Sequence, residues 1–142
     1  MAKLSEETFE GFDRISTLET SSVDNKTLLL RVKIVEGVPV SSLEVHHDND
    51  VLYEGIDLGK AVSCYNATES SRKGDRKPLR KSDFYDYKNA HHLAYLDGKR
   101  LVLATTLEGV VDSPVSKFKV WRNKNLLFAG SGLKEAMWVL GV

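Results

Sequence analysis

The amino-acid sequence predicts an α+β fold in which a strand–strand–strand–helix unit occurs twice in tandem, with an extra N-terminal helix. Three features predict it: an internal repeat, apolar residues that alternate around tight turns, and a short helical stripe after each hairpin. About six antiparallel strands are expected, in one sheet or in two packed sheets, with pseudo-two-fold symmetry. The length of 142 residues suits a single domain with one core.

The repeat is visible when Pro39 to Asn66 is written above Pro114 to Gly141, because the two segments align without a gap at an offset of 75 residues. Eight of the 28 aligned positions are identical. The identical pairs are Pro39/Pro114, Val40/Val115, Ser41/Ser116, Val45/Val120, Leu52/Leu127, Gly55/Gly130, Leu58/Leu133 and Ala61/Ala136. Upstream, Lys26 to Gly37 resembles Lys99 to Gly109. Each unit is therefore expected to contain three strands before its helix.

Two hairpins are predicted from alternation and turn chemistry. Apolar residues alternate with more polar neighbours at Leu43 and Val45, Val51 and Tyr53, Phe118 and Val120, and Leu126 and Phe128. Asp48-Asn49-Asp50 and Asn123-Lys124-Asn125 separate the members of each strand pair. Asp and Asn tolerate a left-handed backbone, so both segments are expected to form tight turns.

A short amphipathic helix is predicted at the end of each unit. The apolar stripes, spaced as on one helix face, are Leu58, Ala61, Val62 and Tyr65 in the first unit, and Leu133, Ala136, Met137 and Leu140 in the second. Asp57 is a good N-cap for the first helix, and Ser131 or Gly132 would serve the second.

The remaining segments complete the predicted division of the chain: an N-terminal helix over 4–20, repeat one over 26–66, a linker over 67–83 and repeat two over 84–142. The N-terminal helix rests on Ser5 as a cap and on an apolar stripe of Phe9, Phe12 and Ile15.

Clustered cations in the linker are the strongest predicted contact to a partner. They are Arg72, Lys73, Arg76, Lys77, Arg80 and Lys81. Tyr85 and Tyr87 follow, and aromatic rings beside cations can stack on exposed bases while the cations neutralise phosphates. The alternative is a solvated connector. Trp121 and Arg122, just before a turn, are candidate interface anchors, unless Trp121 packs on the sheet and Arg122 is solvated.

Metal binding and nucleophilic catalysis are weakly indicated. His46-His47 and His91-His92 are adjacent pairs, with Asp48 and Asp50 beside the first pair. Neighbouring residues of a strand point to opposite faces, so neither pair can offer both rings to one ion without distortion. Cys64 is expected in the core as a small apolar residue. No metal or cofactor is predicted.

Composition restricts the compartment more than the partner. Twenty basic residues balance 20 acidic ones, which weighs against a dedicated nucleic-acid binder without excluding one. A single cysteine rules out an intramolecular disulfide. No signal-peptide core and no run near the ~18 apolar residues of a membrane span occurs, so a cytoplasmic protein is expected.

The end of the chain has a strand, an Asn-rich turn, the run Leu126-Leu127-Phe128-Ala129-Gly130 and a short helix. This ending resembles the hairpin-plus-helix ends of small bacteriophage accessory proteins. The resemblance implies a viral protein that acts on a host factor, and it implies no role for any single residue.

The sequence therefore predicts a non-enzymatic binding or regulatory module, with nucleic acid as the preferred partner. The first alternative is an inhibitor or adaptor that binds a host protein or small ligand through Trp121 and the groove between the repeats. The second is a metal-dependent enzyme using His46, His47, Asp48 and His91. A homodimer remains open.

Overall fold

The computed structural model describes residues 6–21, 24–67, 78–108 and 112–141. Its first half contains a 3-10 turn at Glu6–Phe9, strands β1 (Asp13–Ser21), β2 (Lys26–Val35), β3 (Val38–His47) and β4 (Asp50–Gly55), and helix α1 (Leu58–Ala67). Its second half contains a 3-10 turn at Lys81–Phe84, strands β5 (Lys88–Leu96), β6 (Lys99–Glu108), β7 (Ser113–Arg122) and β8 (Asn125–Gly130), and helix α2 (Leu133–Leu140).

The described strands form two four-stranded antiparallel sheets, β1-β2-β3-β4 and β5-β6-β7-β8. The α+β class is confirmed, but the number of strands is eight, so the expectation of about six was wrong. Both sheets carry irregularities at the same places: between Thr17 and Glu19 in β1 and between His92 and Ala94 in β5, and again where β3 pairs with β4 and β7 pairs with β8. Each sheet ends in a six-residue strand followed by its helix.

Tight turns join the strands where the sequence predicts them. The backbone angle φ is 49° at Asp48 and 73° at Asn49, and it is 54° at Asn123. The first turn thus has two consecutive left-handed residues and the second has one, and both arrangements match the twist of a hairpin and are tolerated by short polar side chains. The two predicted hairpin turns are therefore confirmed.

The predicted N-terminal helix over 4–20 was wrong for its described part. The 3-10 turn ends at Phe9, Gly11 takes a φ of 82°, and the chain continues as β1. The spacing of Phe9, Phe12 and Ile15 imitated a helical stripe, yet Ile15 is 51% exposed. Ile15, Thr17 and Thr20 favour a strand, because β-branched residues fit a pleated surface, and β2 offers backbone partners.

Both sheets have an inner, apolar face and an outer, mixed face. Alternate residues of the central strands are buried on the inner faces: Leu28, Leu30, Val32 and Ile34 in β2, Leu101, Leu103 and Leu107 in β6, Leu43 and Val45 in β3, and Phe118 and Val120 in β7. These residues and the predicted stripes of α1 and α2 belong to a single hydrophobic cluster. The two halves therefore share one core, and the outer faces of the sheets remain as surface.

Each helix begins against a turn of the opposite half. The backbone N–H of Leu58 donates to the carbonyl of Asp112 at 2.9 Å, and that of Leu133 donates to the carbonyl of Gly37 at 2.9 Å. The first N–H groups of a helix have no partner within the helix, so these bonds satisfy donors that would otherwise be buried unpaired. Asp57 also caps α1, since its carboxylate accepts the N–H of Lys60 at 3.1 Å.

Each helix also ends against a lysine of its own sheet. The Nζ atom of Lys26 donates to the carbonyl of Tyr65 at 2.8 Å, and that of Lys99 donates to the carbonyl of Val139 at 3.1 Å. Cations suit the last turn of a helix, where carbonyls lack partners and the dipole is negative. Both helices in the described ranges are too short to cross a membrane.

Replacing Phe118 by Ala should destabilise the fold by about 3 to 5 kcal/mol, because its fully buried ring fills the shared core. The matched control is Trp138→Ala, since Trp138 is 78% exposed. That change should alter the free energy of unfolding by less than about 0.5 kcal/mol. Urea denaturation of both variants measures the difference, and equal destabilisation would contradict the burial described for Phe118.

Candidate functional site

The predicted contacts of the linker are only partly within the described residues. Arg72, Lys73, Arg76 and Lys77 lie outside them. Arg80 is exposed. Lys81 forms an ion pair with Asp112, with 2.8 Å between Nζ and the carboxylate oxygen. This hydrogen bond raises the pKa of Lys81 and lowers that of Asp112. The charge of Lys81 is therefore already balanced within the fold.

The two predicted stacking tyrosines are held by the fold. Tyr85 and Tyr87 are half-buried and pack against the core cluster. The hydroxyl of Tyr85 donates to the Asp112 carboxylate at 3.2 Å. Asp112 thus gathers Lys81 and Tyr85 beside the N-terminus of α1. The Lys81 and Tyr85 side chains are thus engaged in contacts within the second half, so they are not at the centre of the candidate binding surface.

Trp121 and Arg122 lie at the end of β7, and Trp121 is on the outer face of the second sheet. Phe118 and Val120 alternate with it and are fully buried on the inner face. Trp121 is half-buried and pairs with Arg100 of β6, while Arg122 is exposed. The structure therefore leaves part of the indole ring accessible on the sheet surface.

The surface around Trp121 is unusually basic and is called here the basic face. It consists of outer-face residues of β5, β6 and β7: Lys88, Ala90, Val102, Ala104, Thr106, Lys117, Lys119 and Trp121. A shallow depression of about 320 Å³ lies in it, lined in part by Lys88, Ala104, Lys119 and Trp121. Its floor is low because Ala90 pairs with Ala104.

The charge of the second sheet is almost entirely positive. Its strands hold six basic residues, namely Lys88, Lys99, Arg100, Lys117, Lys119 and Arg122, and one acidic residue, Glu108. Lys99 and Arg100 donate to backbone carbonyls. Within the described part of the chain, Lys88, Lys117 and Lys119 have no ion pair or hydrogen bond from their side chains. The basic face thus carries three ammonium groups that form no ion pair with the described residues.

The corresponding face of the first sheet is neutralised by its own side chains. Arg31 donates to Asp13 at 2.8 Å and to Glu44 at 2.6 Å, and the ring of His46 lies 2.8 Å from the other Glu44 oxygen. Burial works to raise the pKa of Glu44, but hydrogen bonds from His46 and Arg31 outweigh it, so its pKa lies below its ordinary value. The bond to Glu44 also raises the pKa of Arg31.

A position-by-position comparison explains the difference between the faces. Each residue of this network has a counterpart at the same place in the second sheet: Lys88 for Asp13, Ala104 for Arg31, Lys119 for Glu44 and Trp121 for His46. At these positions the second sheet has neither the central cation nor the two carboxylates of the first sheet. The same architecture therefore presents a closed ionic surface on one sheet and an open cationic surface on the other.

The histidines of the candidate metal site contact different partners and do not converge on one point. His46 contacts Glu44, and His47 lies 3.3 Å from Asp48. His91 packs edge-on against Phe12, where burial and the nearby Arg14 lower its pKa. No group of three or more His, Cys, Asp or Glu side chains that could hold a metal occurs among the residues described above.

Cys64 lies half-buried against the core, and burial raises the pKa of its thiol. The thiolate is the nucleophilic form, and a raised pKa disfavours it. The position agrees with the expected packing role of Cys64.

Sequence reasoning missed Lys88, Lys117 and Lys119. The signal was present, because Lys117, Lys119 and Trp121 share one parity within β7, and no acidic residue occurs between Asp112 and Glu135.

Comparison with protein-family models, curated proteins and solved structures found no match for this chain.

Acid titration tests the ionic surface of the first sheet. Because the folded-state pKa of Glu44 is lowered, its contribution is present above the ordinary value of 4.5 and is lost as the pH falls through the folded value. Glu44→Gln should cost about 2 kcal/mol near neutral pH, and less as the pH approaches about 3. Urea denaturation across pH measures this, with Glu10→Gln as control, because Glu10 is exposed and lies outside both sheets. A pH-independent difference would contradict the account.

Proposed function

We propose that this protein is a non-enzymatic nucleic-acid-binding module and that the basic face is its contact surface. The observation that carries the proposal is the depression in which Lys88 and Lys119 lie beside a half-buried Trp121, with Lys117 on the same face of β7. Clustered cations release the counterions of a phosphate backbone, and aromatic rings stack on bases. Catalysis is not part of the proposal.

The neutral net charge of the chain is compatible with this function. The strands of the first sheet hold five acidic and four basic residues, whereas those of the second hold one and six. A polyanion interacts with the local field over about 10 Å at ordinary ionic strength, so the local excess matters more than the sum. Additional contacts to the nucleic acid are predicted for the linker cations Arg72, Lys73, Arg76 and Lys77. Arg122, which lies next to Trp121 in the sequence, is a further predicted contact.

We further propose that the two halves are diverged copies of one strand-rich unit. The 3-10 turns, β1 and β5, β3 and β7, and β4 and β8 each begin 75 residues apart. Under this proposal the outer face of the first sheet keeps its paired charges, whereas the outer face of the second sheet has changed to a surface that binds nucleic acid. The copies then serve as internal controls for each other.

Removing the lysines of the basic face should weaken nucleic-acid binding. For Lys88→Ala, Lys117→Ala and Lys119→Ala combined, the slope of log affinity against log salt should fall by about 2 for a single-stranded oligonucleotide. Fluorescence anisotropy across a salt series measures the slope. The control combines Lys33→Ala, Lys60→Ala and Lys134→Ala, which removes the same charge from exposed positions elsewhere. Equal slopes in the two variants would contradict the proposed location, and no binding at low salt would contradict the function.

Installing the ion pair of the first sheet on the second should close the site. The double variant Ala104→Arg with Lys119→Glu places Arg and Glu where Arg31 and Glu44 lie in the first sheet. Binding should fall at least about tenfold at low salt, because one phosphate contact is lost and a carboxylate repels the backbone. Lys134→Ala provides the control for a net loss of one positive charge. Unchanged affinity in a double variant of normal stability would contradict the proposal.

A further inference from the structure

We infer that the basic face binds unpaired nucleotides, with one base stacked on Trp121 above the floor made by Ala90 and Ala104. This inference rests on the proposed function and specifies its ligand: single strands or unpaired regions, in preference to duplexes. It follows from the shape of the surface, from the chemistry of its floor and from the spacing of its cations.

The indole ring of Trp121 is partly accessible on the sheet surface. A duplex exposes only base edges in its grooves, and proteins read these edges with an inserted helix or ribbon. Trp121 lies within a sheet surface, on the third of four strands, beside a depression and not on a protruding element. A ring in that place can meet the face of a base only when the base is unpaired.

The floor of the depression is made by small apolar side chains. Ala90 and Ala104 are paired across β5 and β6, and Val102 follows on the same face. In the first sheet the pair at this place is Ile15 and Arg31, whose side chains are long and would fill the space. Small apolar side chains leave room for a flat ring to lie close to the sheet.

The cations lie on both sides of this floor. Lys88 is on β5, and Lys117 and Lys119 are on β7, so β6 with its alanine lies between them. Two strand spacings separate β5 from β7 by roughly 10 Å, enough for a base between ammonium groups on either side. Backbone phosphates on each side of a stacked base can thus be neutralised together.

The test compares one oligonucleotide as a single strand and as a blunt duplex, using the whole protein and fluorescence anisotropy. Trp121→Ala should reduce single-strand affinity about ten- to a hundredfold, and Trp121→Phe should retain most of it, because a ring remains to stack. The salt slope should not change in either variant, since no phosphate contact is removed. Trp138→Ala, which removes the other exposed indole, should have no effect.

A second readout does not depend on affinity. The chain contains two tryptophans, so Trp138→Phe leaves Trp121 as the sole indole. Saturating single strand should quench its fluorescence, and the same concentration of duplex should not.

The outcomes separate this inference from the proposed function. Equal affinity for duplex and single strand, or a Trp121→Ala variant within twofold of the parent, overturns the stacking inference while lysine-dependent binding upholds the function. Absence of binding to either nucleic acid overturns both.

Discussion

Burial of both apolar sheet faces in one core is the constraint on which the rest of the structure depends. Each short helix packs mainly on its own sheet, yet the inner-face residues of both sheets join a single cluster. The halves are fastened by helix N-termini that each bond to a turn of the other half. Because the inner faces are committed to this core, any partner must be met by the outer faces, the edge strands or the outer sides of the helices.

The two sheets have the same strand order, but their outer faces differ in charge. The side chains therefore decide which ligand each outer face can bind. In the first sheet, Arg31 bridges two carboxylates, so the charges of these three side chains are balanced within the fold. In the second, Ala104 and Lys119 replace the members of the central pair, and the lysines are left to solvent. An exposed cation group costs the fold little, because water solvates it, and it gives long-range attraction to a polyanion.

Patterns among neighbouring residues predicted much of the fold. They did not predict the basic face, because its residues come from strands that are far apart in the sequence. Helices α1 and α2 and the turns at Asp48 and Asn123 depend on neighbouring residues, so periodicity and turn chemistry were sufficient. Strand β1 was mistaken for helix because Phe9, Phe12 and Ile15 have helical spacing, and only pairing with β2 decides the matter. Lys88 and Lys119 come to lie on one face only because β5, β6 and β7 are neighbours in the sheet. The linker cations, in contrast, are contiguous in the sequence and could be recognised directly.

The most direct test of this account is a titration of the isotope-labelled protein with a short single-stranded oligonucleotide, followed by amide chemical shifts in NMR spectra. The account predicts that shift changes concentrate at Lys88, Ala104, Lys119 and Trp121 and leave Asp13, Arg31, Glu44 and His46 unaffected. Changes on the first sheet, or no saturable changes at low salt, would contradict it.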